Sequence, residues 1–197
     1  MKRLLKLTAW PVGIALLIGL YFLDNIRGYY RFKEICEKEA GLRVYEPIQK
    51  NKGWQTLIPN SDSKAAYLLS YYNGISYVRF EEKNGILHDL RRTGEKKNRW
   101  DSGFRPEPSA SNDQPLYEYH DDLKTVTEEV RINRYASTVT NLQSGKLAVI
   151  YQDFTYRLFN QDWGLGRGTS CSSFNRNDSG KSPNESKEIA IQTAFSK

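Results

Sequence analysis

The chain has 197 residues, a formal charge of +6, a hydrophobic content of 39% and thirteen tyrosines. This composition excludes a disordered chain and fits one domain with a real core. Lys2, Arg3 and Lys6 supply part of the positive charge, and the surplus of about three that is left is too small to indicate a nucleic-acid-binding domain.

An uncharged run, Leu7 to Leu23, lies near the N-terminus. A helix that spans a bilayer needs at least about 17 apolar residues, so the run predicts a transmembrane helix with the lipid bilayer as its partner through residues 7–23. A cleaved signal peptide is the alternative, but the residues after Leu16 are bulky where a signal peptidase requires small ones. Because basic residues precede the run, we expect an anchor over 1–25 with its N-terminus in the cytoplasm and a domain over 26–197 outside it.

The chain contains two cysteines, Cys36 and Cys171. An even number of cysteines in an exported domain predicts one disulfide bond, since disulfides persist in oxidising compartments. The alternative is two unrelated buried thiols, because free cysteine is among the most buried residue types.

The first half of the domain predicts two helices, a loop and three strands. Apolar residues at helical spacing, followed by Gly41, indicate the first helix. Alanines and leucines favour a second helix, although Asn73-Gly74 would also suit a hairpin turn between two strands. In chain order we expect a helix over 28–40, a strand over 42–45, a loop over 49–62, a helix over 63–71 and strands over 75–82 and 86–90.

The second half predicts a long loop, three strands and a final helix. Pro, Gly, Ser and Asn mark the loop, and alternating hydrophobicity indicates the strands. Ser182 and Glu185 match a capping box with proline between them, which predicts the start of the helix. In chain order these are a loop over 91–115, strands over 116–120, 126–140 and 146–159, a glycine-rich turn over 163–168 and a helix over 183–195.

Two stretches form a recognisable pattern: CEKEAGLRVYEPI from Cys36 and NLQSGKLAVIYQDFTYRLF from Asn141. They resemble a group of uncharacterised, membrane-anchored envelope proteins of bacteria. The resemblance implies a bacterial periplasm. It implies nothing about chemistry, because no activity is known for the group.

Catalytic and metal-binding signatures are weak. His88 and His120 each adjoin a carboxylate, but a metal site requires three or four ligands that converge. The glycine-rich run over 164–168 lacks the Lys-Ser/Thr of a P-loop, so we interpret it as a flexible turn. The serines around Cys171 have no adjacent general base. We therefore expect no metal, no cofactor and no catalysis.

The most concentrated positive charge lies in the predicted loop over 91–115. A solvated loop is the ordinary interpretation of such a segment. The functional interpretation is an anionic contact with an acidic partner, a lipid head group or a polysaccharide, with the tryptophan as an interfacial residue. The candidate contact residues are Arg91, Arg92, Lys96, Lys97, Arg99 and Trp100.

Together these patterns predict an α+β chain in which an N-terminal transmembrane helix precedes one antiparallel-sheet domain with flanking helices. We expect a single-pass inner-membrane protein whose periplasmic domain acts by binding or structural contacts. Its expected partner is an envelope protein or an anionic lipid or polysaccharide, and not nucleic acid. Two alternatives are a minor pilin or secretion component, for which the prepilin glycine and glutamate are missing, and an envelope hydrolase, which would need a histidine beside a nucleophile.

Overall fold

The computed structural model describes residues 2–56, 62–94, 103–109, 113–126, 131–157, 168–174 and 183–195. The helices in these segments are α1 (Lys2–Glu39), α2 (Asp62–Tyr71), α3 (Cys171–Phe174) and α4 (Pro183–Thr193). The strands are β1 (Gly41–Val44), β2 (Lys52–Thr56), β3 (Ile75–Glu81), β4 (Leu87–Arg92), β5 (Phe104–Pro108), β6 (Tyr117–Thr125), β7 (Ile132–Asn141), β8 (Lys146–Tyr156) and β9 (Thr169–Ser170).

The strands form one mixed sheet. Its order is β1-β8-β7-β6-β2-β3-β4-β5, and β9 pairs with the end of β8. β2 is parallel to both of its neighbours, whereas the other described pairs are antiparallel. The prediction of an antiparallel sheet is therefore wrong. The reason is that β2, which lies in the predicted loop over 49–62, inserts between two antiparallel units, β3-β4-β5 and β6-β7-β8.

β2 joins these two units through its central residues. Trp54 is aligned with Val78 of β3 on one side and with Tyr117 of β6 on the other. Its neighbour Gly53 lies against the ring of Tyr77, and a Cβ at Gly53 would be 2.1 Å from that ring. A residue without a side chain is therefore required at this point of the sheet.

The N-terminal helix α1 is continuous from Lys2 to Glu39. In the part of the chain that the structure describes, no helix combines the length and the apolarity needed to cross a membrane. The predicted transmembrane helix over 7–23 and the predicted single-pass inner-membrane location are therefore wrong. The physical reason is that the apolar run over 7–23 lies at the lower length limit for a span and is bounded by charge at both ends.

The C-terminal part of α1 packs on one face of the sheet. Phe32 and Cys36 lie one helical turn apart and are buried with Phe154 and Tyr156 of β8. Cys36 forms a disulfide bond with Cys171, the first residue of α3. This bond confirms the predicted pairing and excludes the alternative of two free thiols.

The main core lies on the opposite face of the sheet, beneath α2 and α4. Trp54 is fully buried there. Its ring packs against the rings of Tyr72, Tyr119 and Phe195, with centroid distances of 5.8, 6.1 and 5.9 Å. Tyr72 directly follows α2, Tyr119 belongs to β6 and Phe195 follows α4, so their packing fixes both helices against the sheet.

Most predicted elements correspond to observed ones. The helix interpretation of 63–71 is confirmed by α2, and the strands predicted over 75–82 and 86–90 by β3 and β4. The loop predicted over 91–115 is wrong in part, because it contains β5. Residues 127–130, at the start of the strand predicted over 126–140, lie outside the described segments. Residues 163–167, in the predicted glycine-rich turn, lie outside them too.

Candidate functional site

The two histidines lie in different parts of the sheet. His88 on β4 stacks on Phe80, and its Nε2 is 3.5 Å from Glu82 Oε1. His120 is exposed on β6, and β2 and β3 separate the two strands. Within the described residues, no group of three or more His, Cys, Asp or Glu side chains could hold a metal ion. The fold therefore keeps the histidines apart instead of combining them in one site.

Arg91, a predicted anionic contact residue, belongs to a charge network within the chain. Its Nη2 donates to Asp113 Oδ2 at 2.8 Å, and its Nε lies 3.5 Å from Glu107 Oε2. Arg79 and Asp89 form a buried ion pair beside it, with an Nε–Oδ1 distance of 2.8 Å. Arg91 is therefore already surrounded by the carboxylates of its own chain.

Arg92, the second predicted contact residue, stabilises the end of α2. It donates to the backbone carbonyls of Leu69, Tyr72 and Ile75, and the bonds to the last two measure 2.9 and 3.0 Å. Burial lowers the pKa of Arg92. The other four predicted contact residues lie outside the described segments; they are Lys96, Lys97, Arg99 and Trp100.

The serine-rich segment around Cys171 has a structural role in the fold. Cys171 is disulfide-bonded and so cannot act as a nucleophile. Ser172 donates to the carboxylate of Asp153 from its backbone nitrogen at 3.1 Å and from its hydroxyl at 2.8 Å. These bonds attach α3 to β8. The glycine-rich run next to it lies outside the described segments up to residue 167.

A buried polar cluster lies between α2, α4, β6 and β7, and we call it the lysine–tyrosine cluster. It contains residues from four elements, which are spread over more than half of the chain. Its members are Lys64, Tyr67, Tyr72, Tyr119, Asp121, Tyr135, Ser137, Lys187 and Glu188.

Helical spacing and strand register bring these residues together. Lys64 lies one turn before Leu68, and Lys187 one turn before Ile191; both apolar residues are fully buried in the main core. The two lysines therefore point towards the sheet. On the sheet, Asp121 of β6 is aligned with its β7 partner Ser137, so their side chains share the face below the helices.

Asp121 is the centre of the cluster. It accepts hydrogen bonds from Lys64, from the Tyr119 hydroxyl at 2.7 Å and from the Ser137 hydroxyl at 2.6 Å. Burial raises the pKa of Asp121, but the charges of Lys187 and Lys64 and the hydrogen bonds outweigh that effect and hold its pKa below the usual value. Asp121 is therefore ionised at neutral pH.

Lys187 is the most deeply buried cation of the cluster, with 3% of its surface exposed. Its Nζ donates to the Tyr135 hydroxyl at 2.8 Å and lies 5.2 Å from the centroid of the Tyr67 ring. Burial lowers the pKa of Lys187 to about 8. An ammonium group has three donors, and this contact uses one of them.

Two polar atoms in the cluster have no hydrogen-bond partner within the described part of the chain. They are the hydroxyl of Tyr72 and Oε2 of Glu188, whose Oε1 accepts a bond from the Tyr67 hydroxyl. Both residues are at least nine-tenths buried. Burial raises the pKa of both groups, and the charge of Asp121 adds to the effect on Tyr72. Tyr72 borders the cluster through Trp54, whose ring packs against both Tyr72 and Tyr119.

Among the described residues, the cluster therefore has more unused hydrogen-bond donors than unused carboxylate oxygens. Lys64 uses one hydrogen on Asp121, Lys187 uses one on Tyr135, and Tyr72 uses none. Solvent reaches it on the side of Lys64, whose side chain is 24% exposed, and of Asp121, which is 15% exposed. Such an arrangement can bind a carboxylate or another anion whose charge lies on oxygen atoms.

No family model, curated protein or solved structure matches this chain. The resemblance to bacterial envelope proteins therefore stays a prediction, and function has to be argued from the geometry.

Sequence reasoning did not find the lysine–tyrosine cluster. In the sequence, Asp121 is distinguished only as the carboxylate next to His120, whereas the structure pairs it with Lys64. One signal was available in the sequence. Lys64 and Lys187 occupy positions on the apolar faces of their helices, where a charged residue requires a partner.

Proposed function

We propose that this domain binds an acidic group of a partner and performs no chemical step. The observation that supports the proposal is the surplus of donors at two lysines, Lys64 and Lys187, which both act on one carboxylate, Asp121. An acidic partner is also what the sequence predicts, although there for the basic residues of the loop over 91–115. Lys64 is the residue through which the partner is reached, because it is the more exposed of the two lysines.

The arrangement favours binding over catalysis. The hydroxyl of Ser137 is fully buried and donates to Asp121, and Cys171 is consumed by its disulfide bond. A nucleophile needs an adjacent general base that is free to accept its proton. Asp121 already accepts three hydrogen bonds, so it serves as an anchor for its donors.

The test is the affinity of the full chain for polyglutamate, measured at low and physiological salt. We expect Lys64→Met to weaken binding about tenfold or more, since a charge-assisted hydrogen bond contributes about 1.5–3 kcal/mol. Salt should weaken binding of the wild-type protein.

The matched control is Lys146→Met, which removes an exposed lysine at the start of β8. Circular dichroism checks that both variants fold. Equal weakening by Lys64→Met and Lys146→Met would show that net charge alone attracts the polymer, and the proposal would then be wrong.

A further inference from the structure

We infer that the lysine–tyrosine cluster is a binding site for a small hydroxy carboxylate, an acid with a hydroxyl group next to its carboxylate. The inference rests on the proposed function and names the ligand class of that site. It is carried by the two unpartnered buried atoms, the Tyr72 hydroxyl and Glu188 Oε2.

The carboxylate end of the ligand matches the unused donors. A carboxylate has about four lone-pair sites and accepts hydrogen bonds without donating any. Lys64, Lys187 and Tyr72 together offer more donors than their contacts in the chain employ. Net charge does not select the ligand, because the two lysines of the described cluster stand against two carboxylates, Asp121 and Glu188. A ligand carboxylate would instead be held by the unused hydrogens of the lysines and of Tyr72.

The hydroxyl end of the ligand matches the unused acceptor. Glu188 Oε2 is buried within the described cluster without a donor, and burying such an atom is costly. A ligand hydroxyl would supply that donor. An ammonium group would also donate, but it carries three hydrogens, whereas Glu188 Oε2 is the one carboxylate oxygen without a partner among the described residues of the cluster. The geometry therefore favours a hydroxy acid over an amino acid.

Removing the hydroxyl of Tyr72 distinguishes a role in ligand binding from a purely structural role. Its ring packs on Trp54 and Phe195 in the core, at centroid distances of 5.8 and 6.3 Å. Phenylalanine preserves this packing. The hydroxyl of Tyr72, however, makes no hydrogen bond within the described chain, so the ligand-free fold loses nothing when this hydroxyl is removed.

The experiment compares four probes on the full chain at neutral pH by NMR titration: glycolate, acetate, glycine and inorganic phosphate. We expect glycolate to bind at least tenfold more tightly than acetate or glycine. Phosphate should bind more weakly than glycolate, because its dianion places a second negative charge near Asp121 and Glu188.

Three variants assign the contacts. Tyr72→Phe should weaken glycolate binding about tenfold while the ligand-free melting temperature stays the same or rises, as expected for the loss of one hydrogen bond to the ligand. Glu188→Gln should abolish the preference for glycolate over acetate and leave acetate binding in place. Lys146→Met, on the surface, should change neither affinity.

The outcomes separate this inference from the proposed function. Equal affinities for glycolate and acetate, both lost in Lys64→Met, would overturn the hydroxy-acid assignment and leave the acidic-group proposal standing. Binding of polyglutamate without binding of any small probe would do the same. A Tyr72→Phe protein that melts at a lower temperature and binds glycolate normally would show that the hydroxyl serves the fold, and the inference would be wrong.

Discussion

Arg92 illustrates how one residue can look like a contact residue in the sequence and serve the fold in the structure. It lies in the most basic stretch of the chain, which made it a candidate for binding anions. Its guanidinium instead reaches three backbone carbonyls between the last turn of α2 and the start of β3. The last carbonyls of a helix lack partners within the helix, and a cation there also favours the helix dipole.

We therefore expect Arg92→Met to lower the free energy of unfolding by about 2 kcal/mol, because buried carbonyls would lose their charged donor. Urea denaturation followed by tryptophan fluorescence measures the change. The control is Arg105→Met on the edge strand β5, where the side chain is exposed and removal of the charge should have little effect. An equal loss of stability in both variants would contradict the assigned role of Arg92.

The lysine–tyrosine cluster could not be located from the sequence because its residues are distant along the chain. Lys64 and Lys187 come from separate helices, and no motif spacing relates them. They meet because Trp54 packs against residues at the ends of both helices, Tyr72 and Phe195. Side-chain packing across the core decides this proximity, and periodicity within one helix carries no information about it.

At the scale of elements, the sequence predicts the helices and strands that are specified by residues close together in the chain. α2, α4 and the β3–β4 hairpin were found because spacing and turn residues specify them. β2 was missed because parallel pairing with β3 and β6 leaves no turn signal beside it. β5 was missed because Pro106 and Pro108 argue against a strand, although proline is tolerated at a sheet edge.

The disulfide bond connects two elements, α1 and α3, that both contact β8. Its cysteines are 135 residues apart, and closing a loop of that size stabilises the fold by about 5 kcal/mol in the chain-entropy model. We expect Cys36→Ala combined with Cys171→Ala to lower the free energy of unfolding by about that amount in urea denaturation.

Reductant provides the internal control for this prediction. It should destabilise the wild-type protein and leave the double variant unchanged, because the variant has no bond to reduce. A wild-type stability that does not respond to full reduction, verified by thiol labelling, would contradict the stabilising role of the bond.

At the scale of the whole molecule, the buried cluster predicts how stability depends on pH. Lys187 has a pKa of about 8 in the folded protein against an ordinary value of 10.5, so between these values the unfolded chain binds more protons. The free energy of unfolding should therefore rise from pH 8 to pH 9.5, by about 2 kcal/mol. Above about pH 10 it should fall, because burial raises the pKa of Tyr119 and Tyr135, which stay protonated only in the folded protein.

Urea denaturation between pH 7 and pH 11 measures this dependence. Lys187→Met should remove the rise above pH 8 and keep the fall above pH 10, since it leaves the tyrosines in place. A wild-type stability that declines steadily from pH 8 would show that Lys187 does not titrate in this range.

The insertion of β2 between two antiparallel units gives the molecule a direction of mechanical weakness. β2 aligns four residue pairs with β3 but only two with β6, Trp54 with Tyr117 and Gln55 with Glu118. A force that pulls the units apart across the strands would open the sheet along the β2–β6 boundary. Cys36 and Cys171 both lie on the β8 side of that boundary, so the covalent cross-link would not resist the tear.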